Sequence, residues 1–152
     1  MTIEFRPLQL HEMKEASRVL RAAFDWQLPW LAGLHTPDED TWFFREVVFA
    51  ENQIWGAVEG GAIVGMIAFT SDWVHQLYVL PEAHGRGIGS ALLAIAQVDA
   101  KELQLWTFQK NAQARRFYEV RGFVAVRETD GTDNEEKEPD ILYVWTRSKA
   151  IP

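Results

Sequence analysis

A strand, three alternate glycines and a helix follow one another directly between Trp73 and Gln97, in the run WVHQLYVLPEAHGRGIGSALLAIAQ. Trp73 to Leu80 is rich in Trp, Val, Leu and Tyr and is closed by Pro81, the pattern of a mostly buried strand. His84-Gly85-Arg86-Gly87-Ile88-Gly89-Ser90 comes next, and from Ile88 the apolar residues Leu92, Ile95 and Ala96 recur at helical spacing. Glycines let the backbone approach a ligand closely, and the first-turn N–H groups of the helix are unpaired and carry positive potential. Such a turn is an anion cradle, suited to a pyrophosphate. Two common phosphate-binding signatures fit it poorly. A P-loop needs Lys and then Ser or Thr after its last glycine, where this chain has Ser90-Ala91. A dinucleotide fingerprint needs G-x-G-x-x-G, where this chain has Gly85-x-Gly87-x-Gly89.

The chain on either side reads as one domain over residues 1–152. Thr2 to Pro7 is a candidate strand, and Leu10 to Phe24 a helix with Ala16, Val19, Leu20 and Ala23 on one face. Trp26 to His35, WQLPWLAGLH, has no period and predicts a structured loop or short helix. Thr36-Pro37-Asp38-Glu39 starts a helix twice over, by a capping box and by proline at the first helical position; it runs to about Glu51. Gln53 to Val58 and Ile63 to Thr70 form a hairpin about Gly60-Gly61. Beyond the central helix come a strand, Leu103 to Phe108, a helix capped by Asn111 and stopped at Gly122, and strands at Phe123 to Val126 and Ile141 to Thr146. The fourth and fifth strands are joined by the central helix as a crossover, and so are parallel.

Composition removes several kinds of chemistry. There is no cysteine, which excludes disulfides, thiolate metal sites and a cysteine acyl-enzyme, so any acyl transfer is direct. Four scattered histidines give no metal-ligand spacing, and no metal is expected. A net charge of −7 argues against a nucleic-acid partner and suits a cationic substrate. The anion cradle must therefore act locally, through helix N–H groups and arginines such as Arg86, Arg115 or Arg116. Without a long apolar segment or a basic-then-apolar leader, the chain is expected to be cytoplasmic, with no membrane partner. Its seven tryptophans can serve a pocket or a homodimer interface equally well.

A second signature lies downstream, from Asn111 through Ala114-Arg115 and Phe117-Tyr118 to Gly122-Phe123. With the glycine loop, it resembles the GNAT superfamily of acyl-CoA-dependent N-acetyltransferases, over nearly the whole chain. That loop begins with Gln or Arg in the family, and His84 departs from it while Gly87 and Gly89 fit. The resemblance implies an α/β GNAT fold: a mixed, largely antiparallel twisted sheet of about seven strands with helices on both faces. A V-shaped splay between the fourth and fifth strands would admit the cofactor's pantetheine arm. It implies transfer of an acetyl group from acetyl-CoA to a primary amine of a small molecule or peptide, in a ternary complex. A non-catalytic CoA-binding or interaction module of the same fold is the alternative, and Tyr118 speaks for the enzyme, since a binder needs no phenol there.

Residue by residue, the resemblance places acetyl-CoA on His84, Gly85, Arg86, Gly87, Gly89 and Ser90, on the strand at Leu77 and Val79, and on Asn111 and Phe117. Tyr118 would protonate the leaving thiolate, and the Val79 N–H would stabilise the oxyanion. An amine of pKa about 10 is protonated at neutral pH, so a base or a water path must first remove a proton. His75, four residues from Val79, would share its face by strand alternation and so serve as base; Asp72 and Glu46 are alternatives. Trp26 and Trp30 form an aromatic acceptor wall or else pack in the core. The loop from Glu128 to Asp140 carries seven carboxylates; Glu135 and Glu136 either attract a cationic acceptor or mark a solvated hairpin tip.

Overall fold

Residues 2–148 are described by a computed structural model. Their order is β1 (Ile3–Pro7), α1 (Met13–Gln27), α2 (Pro37–Phe43), α3 (Phe49–Glu51), β2 (Gln53–Glu59), β3 (Ala62–Phe69), β4 (Val74–Val79), α4 (Ile88–Gln97), β5 (Glu102–Phe108), α5 (Ala112–Glu119), β6 (Val124–Glu128) and β7 (Asp140–Thr146). The chain divides into two units: one up to Thr70 together with Val74–Val98, the other Ser71–Trp73 with the chain from Asp99 on. The seven strands of the expected α/β fold lie in two antiparallel sheets, β1-β2-β3-β4 in the first unit and β5-β7-β6 in the second. β5 takes its ladder from β7 along its whole length, Glu102–Thr146 through Phe108–Asp140. The parallel pairing expected of the fifth strand is reduced to one bridge, Trp73 with Gln104, whose N–H donates to the Asp72 carbonyl at 2.9 Å.

In the first unit, Gly60 and Gly61 both have positive φ (59° and 81°), the backbone that a two-residue hairpin turn requires. Met13, Ala16, Val19, Leu20 and Ala23 recur at helical spacing and bury one stripe of α1. That stripe meets Met66 and Ala68 of β3, with Tyr78 and Leu80 packed against the same cluster. Alternation sends Gly65 and Ile67 to the opposite face, where α4 lies. A Cβ on Gly65 would stand 3.1 Å from Ile88 and 3.3 Å from Leu92, so this glycine lets α4 settle close to the sheet and fixes where the helix begins.

Local signals explain the remaining helix boundaries. Thr36 Oγ1 accepts from the Glu39 N–H (3.1 Å) while Glu39 Oε1 accepts from the Thr36 N–H (2.8 Å), the expected capping box. Between α2 and α3 the helix widens into a π segment, Phe44–Val48, in place of the uniform helix expected. Asn111 caps α5 by accepting from the Ala114 N–H at 3.1 Å. Gly122, with φ 91°, ends that helix, and Phe123 N–H returns to the Tyr118 carbonyl at 3.1 Å. Among the described residues, no helix is long and apolar enough to cross a membrane.

Candidate functional site

In the first unit, the glycine loop owes its shape to two left-handed residues. Gly85 and Gly87 both have φ 77°, a conformation that side chains with a Cβ rarely adopt, and a Cβ at either would meet nothing within 4 Å. The two positions therefore present bare backbone to open space. Gly87 is the N-cap of α4, with Gly89 and Ser90 in its first turn. Ala91 N–H bonds back to the Gly87 carbonyl at 3.0 Å, so the N–H groups of Ile88 and Gly89 precede the helical ladder and have no carbonyl within it. The ten residues of α4 align their peptide dipoles so that the positive end lies at these donors. Bare backbone, free helical donors and positive potential suit a pyrophosphate.

Beside the loop, the register of β4 shows where its backbone points. Leu80 N–H donates to the Val64 carbonyl at 2.9 Å, which makes Leu80–Val64 a hydrogen-bonded pair and its neighbour Val79–Gly65 a non-hydrogen-bonded one. The N–H and C=O of Val79 thus point away from β3, off the outer edge of this sheet. Leu77, paired with Ile67 two residues earlier, has the same orientation. Two successive outward-facing peptide groups on an edge strand can hold an extended, amide-bearing chain by strand-like hydrogen bonds.

His84 closes the corner between strand and loop. Its Nε2 lies 3.0 Å from the Val79 carbonyl oxygen. A carbonyl only accepts, so Nε2 carries the proton. The same ring meets Trp26 edge to face, with centroids 5.2 Å apart and planes at 84°. Trp26 is 56% exposed and Trp30 51%, which removes the core-packing alternative for both.

Two expectations for this unit change. Arg86 is held in a two-pronged pair by Glu59 at the end of β2, with Nη1–Oε1 at 3.1 Å, so its charge is already matched. The shared hydrogen bond lowers the Glu59 pKa and raises that of Arg86. For His75, Ala68 pairs with Gln76 and Phe69 with Val74, leaving His75 as the extra residue of a β-bulge. A bulge interrupts alternation, so the inference that His75 shares Val79's face loses its basis. His75 is exposed, as are the alternatives Asp72 and Glu46.

In the second unit, Tyr118 is buried in an aromatic group with Phe117 (5.1 Å), Phe123 (5.4 Å) and Tyr143 (6.4 Å). The Arg121 guanidinium lies 3.9 Å over the Phe117 ring. Arg115 donates to the Tyr143 hydroxyl (3.3 Å) and the Gln109 carbonyl (3.2 Å), so it serves the interior of this unit; Arg116 is exposed. Tyr143 in turn donates to Glu119 at 2.6 Å, and burial, followed by that bond, raises its pKa. Nothing local in the sequence announced this pair, because its members lie 24 residues apart.

The acidic loop is folded rather than a loose tip. Asn134 donates to the Glu138 carbonyl (2.8 Å) and accepts from the Glu138 N–H (3.2 Å), and Thr129 Oγ1 donates to the Asp140 carboxylate. Gln109 Nε2 donates to the carbonyls of Thr129 (3.0 Å) and Asp140 (3.2 Å), pinning the loop's neck. Glu138 is buried and paired with Lys110 at 3.3 Å, whereas Glu135 is exposed and Glu136 half-buried.

Residues 19–123 match the acetyltransferase (GNAT) family. The peptidyl-lysine N-acetyltransferase YiaC of Escherichia coli is 34% identical over 80 residues, 52% of this chain and 55% of that one. An uncharacterized N-acetyltransferase of Methanocaldococcus jannaschii, MJ1207, is 31% identical over 138 residues, 80% of this chain and 49% of that one. The chain thus spans about half the length of the curated relatives it matches. Among solved structures, apo YjaB of Escherichia coli has a TM-score of 0.79 at 23% identity, covering 97% of this chain and 100% of that one. The PaiA N-acetyltransferase of Thermoplasma acidophilum, in complex with coenzyme A, has a TM-score of 0.70 at 20% identity with the same coverage. At these identities the likeness is one of fold.

Proposed function

The chain belongs to the acetyltransferase (GNAT) family, and on that premise we propose that it is a cytoplasmic N-acetyltransferase, the whole chain acting as one catalytic domain. It moves an acetyl group from acetyl-CoA directly to a primary amine of a small molecule or peptide. The observation that carries this reading is the pair of left-handed glycines opening onto the first turn of α4, next to the outward-facing peptide groups of Leu77 and Val79. The coenzyme A complex of PaiA and the peptidyl-lysine activity in the name of YiaC support the donor and the acceptor class respectively.

Acetyl-CoA supplies a thioester carbonyl activated towards amines. The N–H groups of Ile88 and Gly89 hold the pyrophosphate, and the outward-facing peptide group of Leu77 holds a pantetheine amide. The Val79 N–H is the donor for charge developing on the carbonyl oxygen, fixed by the β-ladder and so needing no reorganisation. In the first unit, Trp26 and Trp30 are the aromatic residues offered to an acceptor. In the second, by the family resemblance, Asn111 and Phe117 are the candidate cofactor contacts and Tyr118 the candidate proton donor, and Glu135 and Glu136 are the carboxylates that could favour a cation. Addition of acetyl-CoA to isotopically labelled protein should shift the amide resonances of Gly85, Gly87, Ile88 and Gly89 more than those of Gly33 or Gly61. Shifts spread evenly, or none at saturating ligand, would overturn the assignment of this loop.

A further inference from the structure

Arg86 stands inside the glycine loop, yet its charge is spent on a residue outside it. A left-handed glycine lies on each side, Gly85 and Gly87, and the Ile88 N–H offered to the pyrophosphate is two residues further on. The Arg86 side chain is 40% exposed, and its guanidinium meets both oxygens of Glu59, Nη1–Oε1 at 3.1 Å and Nη2–Oε2 at 2.5 Å. A guanidinium's planar fork fits two oxygens of a carboxylate or two of a phosphate by the same geometry. Glu59 is the fixed member of the pair. It is the last residue of β2, with its backbone set between Ile3 of β1 and Ala62 of β3, at the Gly60-Gly61 turn. Arg86 lies in no ladder or helix, and its two glycine neighbours make it the member that can turn away.

We propose that Glu59 occupies Arg86 in place of a cofactor phosphate and is exchanged for one when acyl-CoA binds, so that a residue outside the loop sets how tightly the loop holds its ligand. This rests on the acetyltransferase reading above, which puts the pyrophosphate of acyl-CoA at this loop. In the exchange the guanidinium keeps two hydrogen bonds and an opposite charge, trading carboxylate oxygens for phosphate oxygens. The Glu59 carboxylate, already 21% exposed, is returned to water. A pyrophosphate carries more charge than a carboxylate and meets the Ile88 and Gly89 N–H groups as well, so the exchange runs in its favour. Breaking the ion pair nevertheless subtracts from the affinity. The free loop is thereby kept neutral at Arg86, and the cofactor binds less tightly than the cradle alone would allow.

Calorimetry with coenzyme A decides it. Glu59→Gln keeps the length of the side chain and removes its charge, and should bind coenzyme A about fivefold more tightly than wild type, the release of one exposed ion pair. Glu59→Asp draws the carboxylate back by one methylene and should give a smaller gain in the same direction. Arg86→Gln should weaken binding, and in that background Glu59→Gln should change the affinity by less than about twofold. An equal gain in both backgrounds would overturn the proposal, since Glu59 would then act on the ligand by repulsion alone. Wild-type affinity in folded Glu59→Gln and Glu59→Asp proteins would overturn it too. Dephospho-coenzyme A separates the phosphates: a gain that survives with it assigns Arg86 to the pyrophosphate, and a gain that vanishes assigns it to the 3′-phosphate, the exchange standing in either case. Failure of coenzyme A to bind the wild type would overturn the reading of the loop itself, a result distinct from these.

Discussion

Replacing Gly87 by alanine separates the loop's binding role from its structural one. Gly87 has φ 77° and ψ 10°, and its added Cβ would meet nothing within 4 Å, so no packing clash is introduced. What remains is the cost of a left-handed residue with a Cβ, about 1–2 kcal/mol. In a chain of 152 residues that amounts to a drop in Tm of roughly 2–8 °C, which leaves the protein folded. The same Cβ points into the open space where the phosphates must approach, and a relaxed turn would redirect the Ile88 N–H. Bringing the turn back on binding costs a similar 1–2 kcal/mol, so affinity for acetyl-CoA should fall about 5- to 30-fold. Gly33→Ala is the control: its φ is 85° and its Cβ also meets nothing, but it lies before α2. Calorimetry and melting on both variants should show similar losses of stability, with affinity lost only in Gly87→Ala. Wild-type affinity in a folded Gly87→Ala protein would refute the argument.

Tyr118→Phe keeps the ring among Phe117, Phe123 and Tyr143 and removes only the hydroxyl, so kcat should fall by about 10²- to 10⁴-fold with acetyl-CoA affinity unchanged, as steady-state kinetics and calorimetry would show. In Gly131→Ala a Cβ would stand 2.4 Å from the Glu138 carbonyl carbon at φ 83°, and urea unfolding should register a loss of about 3 kcal/mol. The Arg6 guanidinium, bonded to Glu12 at 2.8 and 2.9 Å, lowers that carboxyl to about 2. Its folded pKa lies below the unfolded one, so the stability it gives is complete above pH ~4.3 and is lost as pH falls towards about 2. With Arg6 partly exposed the contribution is about 1–2 kcal/mol, and melts of Glu12→Gln against wild type across that range should converge at the acid end. Changing Glu135 and Glu136 to Gln should raise KM for a cationic amine at low salt and leave it nearly unaltered at high salt; equal KM values in both would assign acceptor recognition elsewhere.

What could be read in advance was what neighbouring residues decide among themselves. The capping box at Thr36 and Glu39, the Gly60-Gly61 turn, the Asn111 cap and the Gly122 stop each involve groups within a few residues, and each stands as expected. The two motif segments likewise lead to a left-handed glycine pair at a helix start and to a buried Tyr118. Long-range pairing escaped. The bulge at His75 arises from how β4 meets β3, and no residue in β4 marks it. Arg86 looked available until Glu59, 27 residues earlier in the chain, was found in the ion pair with it. The folding of the acidic loop depends on Gln109, which lies outside it and has no distinctive neighbours. His84, an imperfect match to the family's loop, acquires meaning only from Val79 and from Trp26, 58 residues away in sequence.

The central claim is that this loop and strand serve acyl transfer to an amine, and its most direct test is turnover. Acetyl-CoA would be incubated with the protein and a panel of amino acids, polyamines, aminoglycosides and lysine-bearing or N-terminal peptides, with free thiol followed by a colorimetric reagent and the acceptors examined by mass spectrometry. The account predicts thiol release that depends on one class of amine and matches, mole for mole, the gain of an acetyl group on its nitrogen. Saturable acetyl-CoA binding at the loop without amine-dependent thiol release, across the panel and several acyl chain lengths, would contradict it and mark the protein as a binding module.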